Sequence, residues 1–259
     1  MNITKKPISV PTENNVMLHK KLNFGATEAY KLLRTNLMFT MPTGDRKCRV
    51  IGVTSSQRGE GKSTTAINLS YTIAETGKRV LLIDADLRLP SVAKKLQLRT
   101  TPGLSNILAE SLDSKEIIRV SDVLVNWCIL TAGDIPPNPT EMLGSEQMKN
   151  LINELAERYD YIIIDLPPVN IVSDALVISS LLDGMVVVIR EDYTKRRELS
   201  NCIRHLELSN VKVLGFVMNV TSETKSYYGK LKNKKYYKSL DKYYKQTGYS
   251  GSYATSSKK

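Results

Sequence analysis

Between a short β-rich run, Val50–Thr54, and a helix predicted over Ser63–Thr76 lies Ser55-Ser56-Gln57-Arg58-Gly59-Glu60-Gly61-Lys62-Ser63-Thr64. Gly59 and Gly61 let backbone N–H groups curl around an oxyanion without Cβ clashes. The helix N-terminus that follows adds a favourable dipole. Lys62 can reach the β- and γ-phosphates of a nucleotide, and Ser63 can place its hydroxyl on Mg²⁺. The strict pattern carries Gly at position 56, where this chain has Ser56. A loop of this kind needs a strand before it and a helix after it, which commits the chain to an α/β fold.

The rest of the chain agrees. Apolar runs at Val80–Ile83, Trp127–Thr131, Tyr161–Ile164, Met185–Ile189 and Val211–Met218 read as strands. Helices fit between them at 141–158, 173–182 and 194–208, and Gly77 ends the helix after the loop. Strand–helix alternation with continuous apolar strands implies a mostly parallel sheet with helices on both faces. An earlier helix, Thr27–Thr40, carries Ala29, Leu32, Leu33 and Leu37 as an apolar stripe, with Glu28, Lys31 and Arg34 on another face.

Asp84-Ala85-Asp86 ends the strand after the loop helix, and Asp165 ends a later one. Ligands of parallel sheets bind outside the carboxyl ends of the strands. All three carboxylates therefore belong to the rim that carries the phosphate loop, an arrangement that calls for a cation between them and a triphosphate. Asp is also a common residue at strand ends and turns.

Net charge is +11 in 259 residues, but it is unevenly placed. Residues from Lys225 onward hold ten Lys and one acid, a charge of +9, so the body carries only +2. Eight of the 13 tyrosines follow the same skew: Tyr227, Tyr228, Tyr236, Tyr237, Tyr243, Tyr244, Tyr249 and Tyr253. Segment 222–259 has almost no aliphatic residues and is predicted to be disordered, because it cannot bury enough apolar surface to offset its ordering entropy. Residues 1–24, polar and containing Pro7 and Pro11, read as a flexible arm, leaving 25–221 as the folded domain. Cys48, Cys128 and Cys202 are widely spaced and odd in number, which argues against a disulfide framework or zinc site. No apolar run approaches the roughly 20 residues of a membrane span.

Together these motifs resemble the bacterial tyrosine kinases (BY-kinases) of capsular and exopolysaccharide operons. The phosphate loop of that family reads Ser-x-x-Pro-Gly-Glu-Gly-Lys-Ser, here Ser55 to Ser63 with Arg58 in place of the proline. Its second signature is matched by Leu81-Leu82-Ile83-Asp84-Ala85-Asp86-Leu87-Arg88, and its third by Ile162-Ile163-Ile164-Asp165-Leu166-Pro167-Pro168. The tyrosine cluster completes the set. The Glu-x-x-Arg-x-x-Arg assembly motif of the family appears as Glu28, Lys31 and Arg34. Lys31 keeps the charge but loses the bidentate fork.

The resemblance implies a P-loop NTPase fold and transfer of the ATP γ-phosphoryl group to tyrosine with Mg²⁺. Gly59, Glu60, Gly61, Lys62, Ser63 and Thr64 would hold the phosphates. Ser63, Asp86 and Asp165 would serve the metal, and Asp84 would orient or deprotonate the tyrosine hydroxyl. Asn219, at the end of the last strand, is the candidate for adenine. The eight tail tyrosines would be the phosphoacceptors, presented in trans within a ring-like homo-oligomer. The implied partners are the cytoplasmic tail of a membrane-embedded activator, a phosphotyrosine phosphatase and protein substrates in polysaccharide synthesis. The chain would then be cytoplasmic, recruited by its activator to the inner face of the membrane. The competing reading is a nucleotide-switched ATPase of the partition and division-positioning type, which shares the fold and the three motifs. Those proteins carry a Lys where this chain has Gln57. A near-neutral body argues against nucleic acid as the partner.

Overall fold

In chain order, α1 (Phe24–Thr40) precedes β1 (Arg49–Ser55), α2 (Lys62–Ala74), β2 (Val80–Asp84), α3 (Val92–Leu96), α4 (Leu104–Glu110) and α5 (Ser114–Ile117). Then come β3 (Arg119–Val120), β4 (Trp127–Leu130), α6 (Pro139–Leu143), α7 (Glu146–Ala156), β5 (Tyr161–Asp165) and α8 (Asp174–Val177). A 3-10 turn (Ser179–Leu181), β6 (Gly184–Arg190), α9 (Arg196–Leu208) and β7 (Val213–Asn219) complete it. This computed structural model describes residues 24–41 and 47–219. All of the predicted arm except Phe24, which opens α1, and the tail with its eight tyrosines lie outside the described residues.

The strands form one seven-stranded sheet in the order β3-β4-β2-β5-β1-β6-β7. Only β3, a short edge strand, runs antiparallel, against β4. The expectation of a mostly parallel sheet covered on both faces is met. Side chains alternate across the pleat. Leu82 and Ile163 pack with Leu37, Ile67, Leu69 and Trp127 beneath α1 and α2. Leu81, Ile83, Ile162 and Ile164 pack with Leu104, Leu143, Leu151, Leu155 and Leu206 on the opposite face. Each such side chain contributes about 1.5–3 kcal/mol by leaving water, so the central strands hold the carboxyl-end rim rigidly.

Several elements differ from expectation. The helix predicted over 141–158 is two helices: α6 stops at Gly144, and Ser145 caps α7 by accepting from the Met148 N–H at 3.2 Å. The 173–182 segment is a single α-helical turn followed by a 3-10 turn. The helices α3, α4 and α5 and the strand β3 carry no clear periodicity and were not anticipated. The three cysteines are buried free thiols. Burial pushes Cys48 and Cys202 up to about 12. Trp127 is structural: its indole N–H donates to Ser70 Oγ at 3.0 Å, and its ring meets Tyr71 edge-on at 5.5 Å.

Candidate active site

The phosphate loop runs from the end of β1 to the start of α2, at the carboxyl edge of the central strands. Gly61 is the N-cap of α2 with φ +97°, a left-handed conformation that strains any other residue. A Cβ there would lie 1.9 Å from Asn219 Nδ2. Asn219 packs on the loop in this way and donates to the Glu60 carbonyl at 3.2 Å. Glu60 itself is buried. Its carboxylate accepts from Ser56 Oγ at 2.8 Å and from the Gln57 N–H at 3.0 Å. Ser56, the departure from the strict pattern, thus has a use: its hydroxyl ties the first half of the loop to the second. Glu60 acts through its side chain as a brace within the loop.

Parallel pairing of β2 with β5 sets Asp84 directly opposite Asp165. Asp86 follows two residues later. Lys62 Nζ reaches back from α2 to lie 2.7 Å from Asp86 Oδ2 and 3.5 Å from Asp165 Oδ1, and 3.4 Å from Ser63 Oγ. Burial disfavours the Lys62 ammonium, but the Asp165 and Asp86 carboxylates outweigh it and hold its pKa above the ordinary lysine value. Burial pushes Asp165 upward, against the pull of Lys62. Both Asp165 oxygens are buried and no donor meets either in good hydrogen-bond geometry; Lys62 and Ser63 stand nearest, at long range.

Asp84 is placed differently from Asp86. It is fully buried, and its oxygens accept from the Asp86 N–H at 3.3 Å, the Ser91 N–H at 3.1 Å and the Val92 N–H at 3.0 Å. Asp84 therefore anchors the turn after β2 and the start of α3. Burial, with Asp165 adding to it, pushes its pKa up to about 8.

Arg88 turns away from the loop. Its guanidinium donates to both oxygens of Asp174 at 2.8 and 3.1 Å and to Thr140 Oγ1 at 3.0 Å. This fork ties the carboxylate-bearing turn to α6 and α8. Asp174 and Thr140 carry no motif, and their role was not visible in the sequence. The same is true of Arg190, Tyr193 and Thr194, which touch the phosphate loop from about 130 residues away.

On α1, Lys31 Nζ pairs with Glu28 Oε1 at 2.8 Å, and both side chains are partly exposed. Arg34 Nη1 donates to the Thr72 carbonyl at 2.6 Å, near the C-terminus of α2, where a cation is favoured. That contact docks α1 on the loop helix.

These residues suit a nucleotide phosphate accompanied by a hydrated divalent cation. Asp165 offers two unsatisfied buried oxygens, Ser63 a hydroxyl beside it, and the helix start its N–H groups. Among the described residues no cluster of three or more His, Cys, Asp or Glu forms a metal cage by itself. Mg²⁺ commonly takes one or two carboxylates, with phosphates and waters completing its shell.

The sequence matches the AAA domain family over residues 48–212. It is 39% identical to the tyrosine-protein kinase YwqD of Bacillus subtilis, over 81% of this chain and 88% of that one. The chain belongs to the bacterial tyrosine-protein kinases. The structure agrees. It matches the chimerical protein CapA2B2 with a TM-score of 0.74 at 32% identity, over 82% of this chain and 93% of that one. The kinase domain of the Escherichia coli tyrosine kinase ETK gives 0.74 at 28% identity, covering 84% and 85%. A chain of the MinC:MinD cell division protein complex of Aquifex aeolicus is more distant, with a TM-score of 0.55 and 24% identity over 67% of this chain and 68% of that one, and shows likeness of fold alone. The kinase reading therefore displaces the positioning ATPase. Among the described residues no helix is long and apolar enough to cross a membrane.

Proposed function

We propose that this kinase transfers the γ-phosphoryl group of ATP to tyrosines of its own C-terminal cluster and thereby regulates capsular or exopolysaccharide synthesis. The observation that carries the site is Lys62, set between Asp86 and Asp165 at the mouth of the phosphate loop. A loose phosphoryl transition state needs mainly positioning and charge neutralisation. Lys62 would exchange its carboxylates for the β- and γ-phosphates when nucleotide enters. The backbone of Gly59, Glu60, Gly61, Ser63 and Thr64 would line the cradle. Ser63, Asp86 and Asp165 would hold Mg²⁺ directly or through water, and the cation would supply the charge neutralisation that Lys62 gives the carboxylates here. Asn219, packed on the loop, is the candidate neighbour of adenine. Asp84 is proposed, from the family resemblance, to orient or deprotonate the incoming hydroxyl; a tyrosine of pKa about 10 needs that help.

The tail tyrosines would be reached in trans, within a ring-like assembly to which Glu28, Lys31 and Arg34 contribute. Eight phosphates of about −1.5 to −2 each would convert the +9 tail to a net negative one, so phosphorylated tails would leave acidic surfaces that unphosphorylated tails approach. The cytoplasmic tail of a membrane-embedded activator would recruit the kinase to the inner membrane face, a phosphotyrosine phosphatase would reset it, and enzymes of polysaccharide synthesis would be further substrates.

Incubation with γ-labelled ATP, Mg²⁺ and the activator tail tests this reading. Stable label on tail tyrosines, absent in Lys62→Met, supports it. Phosphate released to water with no protein label refutes it. Replacing all eight tail tyrosines by Phe without loss of label would refute the tail as acceptor.

A further inference from the structure

Three consecutive residues of the phosphate loop are gripped by one short segment at the end of β6. Tyr193 Oη donates to the Arg58 carbonyl at 3.1 Å. Arg190 Nη1 donates to the Gly59 carbonyl at 3.0 Å. Thr194 Oγ1 donates to the Glu60 carboxylate and accepts from the Arg190 N–H at 2.8 Å. The Arg190 guanidinium also stacks over the Tyr193 ring, 4.9 Å from its centroid, which stiffens both. The segment therefore acts on the loop as one unit.

What it grips matters. Two of the three contacts take carbonyls and the third takes a side chain, so the clamp consumes no loop N–H. In a planar trans peptide the C=O of one residue and the N–H of the next point in opposite directions. Holding the Arg58 carbonyl outward aims the Gly59 N–H inward. Holding the Gly59 carbonyl outward does the same for the Glu60 N–H. Gly59 has φ +79°, a conformation glycine leaves readily, since it is free to visit many others. Position 58 is also Arg rather than a φ-restricted proline, so the local chain alone does little to hold this arch.

We propose that Arg190 and Tyr193 are positioning residues for nucleotide binding: they hold the Arg58 and Gly59 carbonyls outward so that the Gly59 and Glu60 N–H groups face the nucleotide phosphates. The clamp rests on the nucleotide-binding reading of the loop. It replaces, by tertiary contact, the stiffness that a proline at position 58 would supply locally.

Three measurements on the full chain test this: ADP affinity by fluorescent-nucleotide titration and KM and kcat for ATP in tail phosphorylation, both with the activator tail present, and the thermal midpoint without nucleotide. Tyr193→Phe keeps the ring and its stacking but removes the donor. Arg190→Lys keeps the charge but loses the planar fork. Each variant weakens ADP binding about threefold to tenfold, the scale of one net hydrogen bond. The shift falls on KM rather than kcat, with the nucleotide-free midpoint within about 2 °C of the parent, less than the shift expected for a 1 kcal/mol loss in a domain of this size. Arg58→Pro placed in the Tyr193→Phe background restores ADP affinity to within about twofold of the parent, the difference proline's fixed φ makes at a compatible site. Unchanged ADP affinity in both single variants overturns the clamp. So does an affinity loss matched by an equal loss of nucleotide-free stability, which marks an ordinary packing contact. A parent chain that binds no nucleotide overturns the reading of the loop itself.

Discussion

The Lys62 ammonium donates to the Asp86 carboxylate at 2.7 Å, with Asp165 on its other side. On the proposed reading, the residue that would meet phosphate thus neutralises the two carboxylates that would meet the cation. Lys62→Met leaves both uncompensated, a change that costs up to about 3–5 kcal/mol when a buried pair is broken. It also removes the proposed donor to the transferred group, so phosphorylation should fall about 10²-fold or more. Asp165→Asn separates the two effects. It should lose phosphorylation similarly but keep or raise nucleotide-free stability, because Lys62 retains its shorter pair with Asp86 while a fully buried carboxylate charge, paired only at 3.5 Å, is removed. Urea unfolding beside the label assay measures both, and a Lys62→Met midpoint equal to the parent would show that the pair adds nothing.

Ser56→Gly would bring the loop to the strict pattern and yet weaken it. It removes the hydroxyl bonded to the buried Glu60 carboxylate and frees the backbone. A loss of about 1–3 kcal/mol is expected in urea unfolding. Ser56→Ala should lose somewhat less, since it keeps the backbone restriction.

Arg88→Ala strands the fully buried Asp174 carboxylate with only Thr140 Oγ1 beside it. Arg88 is partly exposed, so water softens the cost to about 1–3 kcal/mol. Arg88→Lys should recover only part of it, lacking the fork. The carboxylate-bearing turn after β2 should lose amide-exchange protection in both variants.

Arg79 donates from its backbone N–H to Asp160 at 2.8 Å and from its guanidinium at 2.7 Å, joining the starts of β2 and β5. The Arg79 side-chain hydrogen bond holds the Asp160 carboxyl below its ordinary value. A depressed carboxylate stabilises fully above its unfolded pKa, about 3.9, and loses that contribution as pH falls through the folded value. Asp160→Asn should therefore be less stable than the parent at pH 7, and the gap should close as pH falls below the unfolded pKa and through the depressed folded one. Because the pair is exposed, high salt should narrow the gap at pH 7 as well. A gap that is independent of pH would assign the effect to packing instead.

Much of the site was legible before the fold. Gly59, Gly61, Lys62 and Ser63 lie in a contiguous motif whose chemistry requires those residue types, and Asp84 and Asp165 end, and Asp86 closely follows, apolar runs that read as buried parallel strands. The break at Gly144-Ser145 was signalled by a helix-capping serine but was masked by helical periodicity on both sides. The short helices α3 to α5 are set by tertiary packing, and one or two turns of helix carry too little pattern to read.

The amino-acid sequence alone determined the class of fold, the oxyanion loop, the set of carboxylates at one rim and the kinship to tyrosine kinases. Those features depend on local spacing, strand burial and glycine conformation, which act over a few residues. Tertiary structure decided which carboxylate Lys62 meets, that Asp84 is an anchor held by backbone N–H groups, and that Arg88 clamps Asp174. It also brought Arg190, Tyr193 and Thr194 onto Arg58, Gly59 and Glu60. Apart from the Asp84 anchor, whose donors lie two to eight residues further along the chain, these contacts share one physical reason. They depend on the order in which parallel strands stack, and in a crossover sheet that order places side by side residues that lie far apart in the chain.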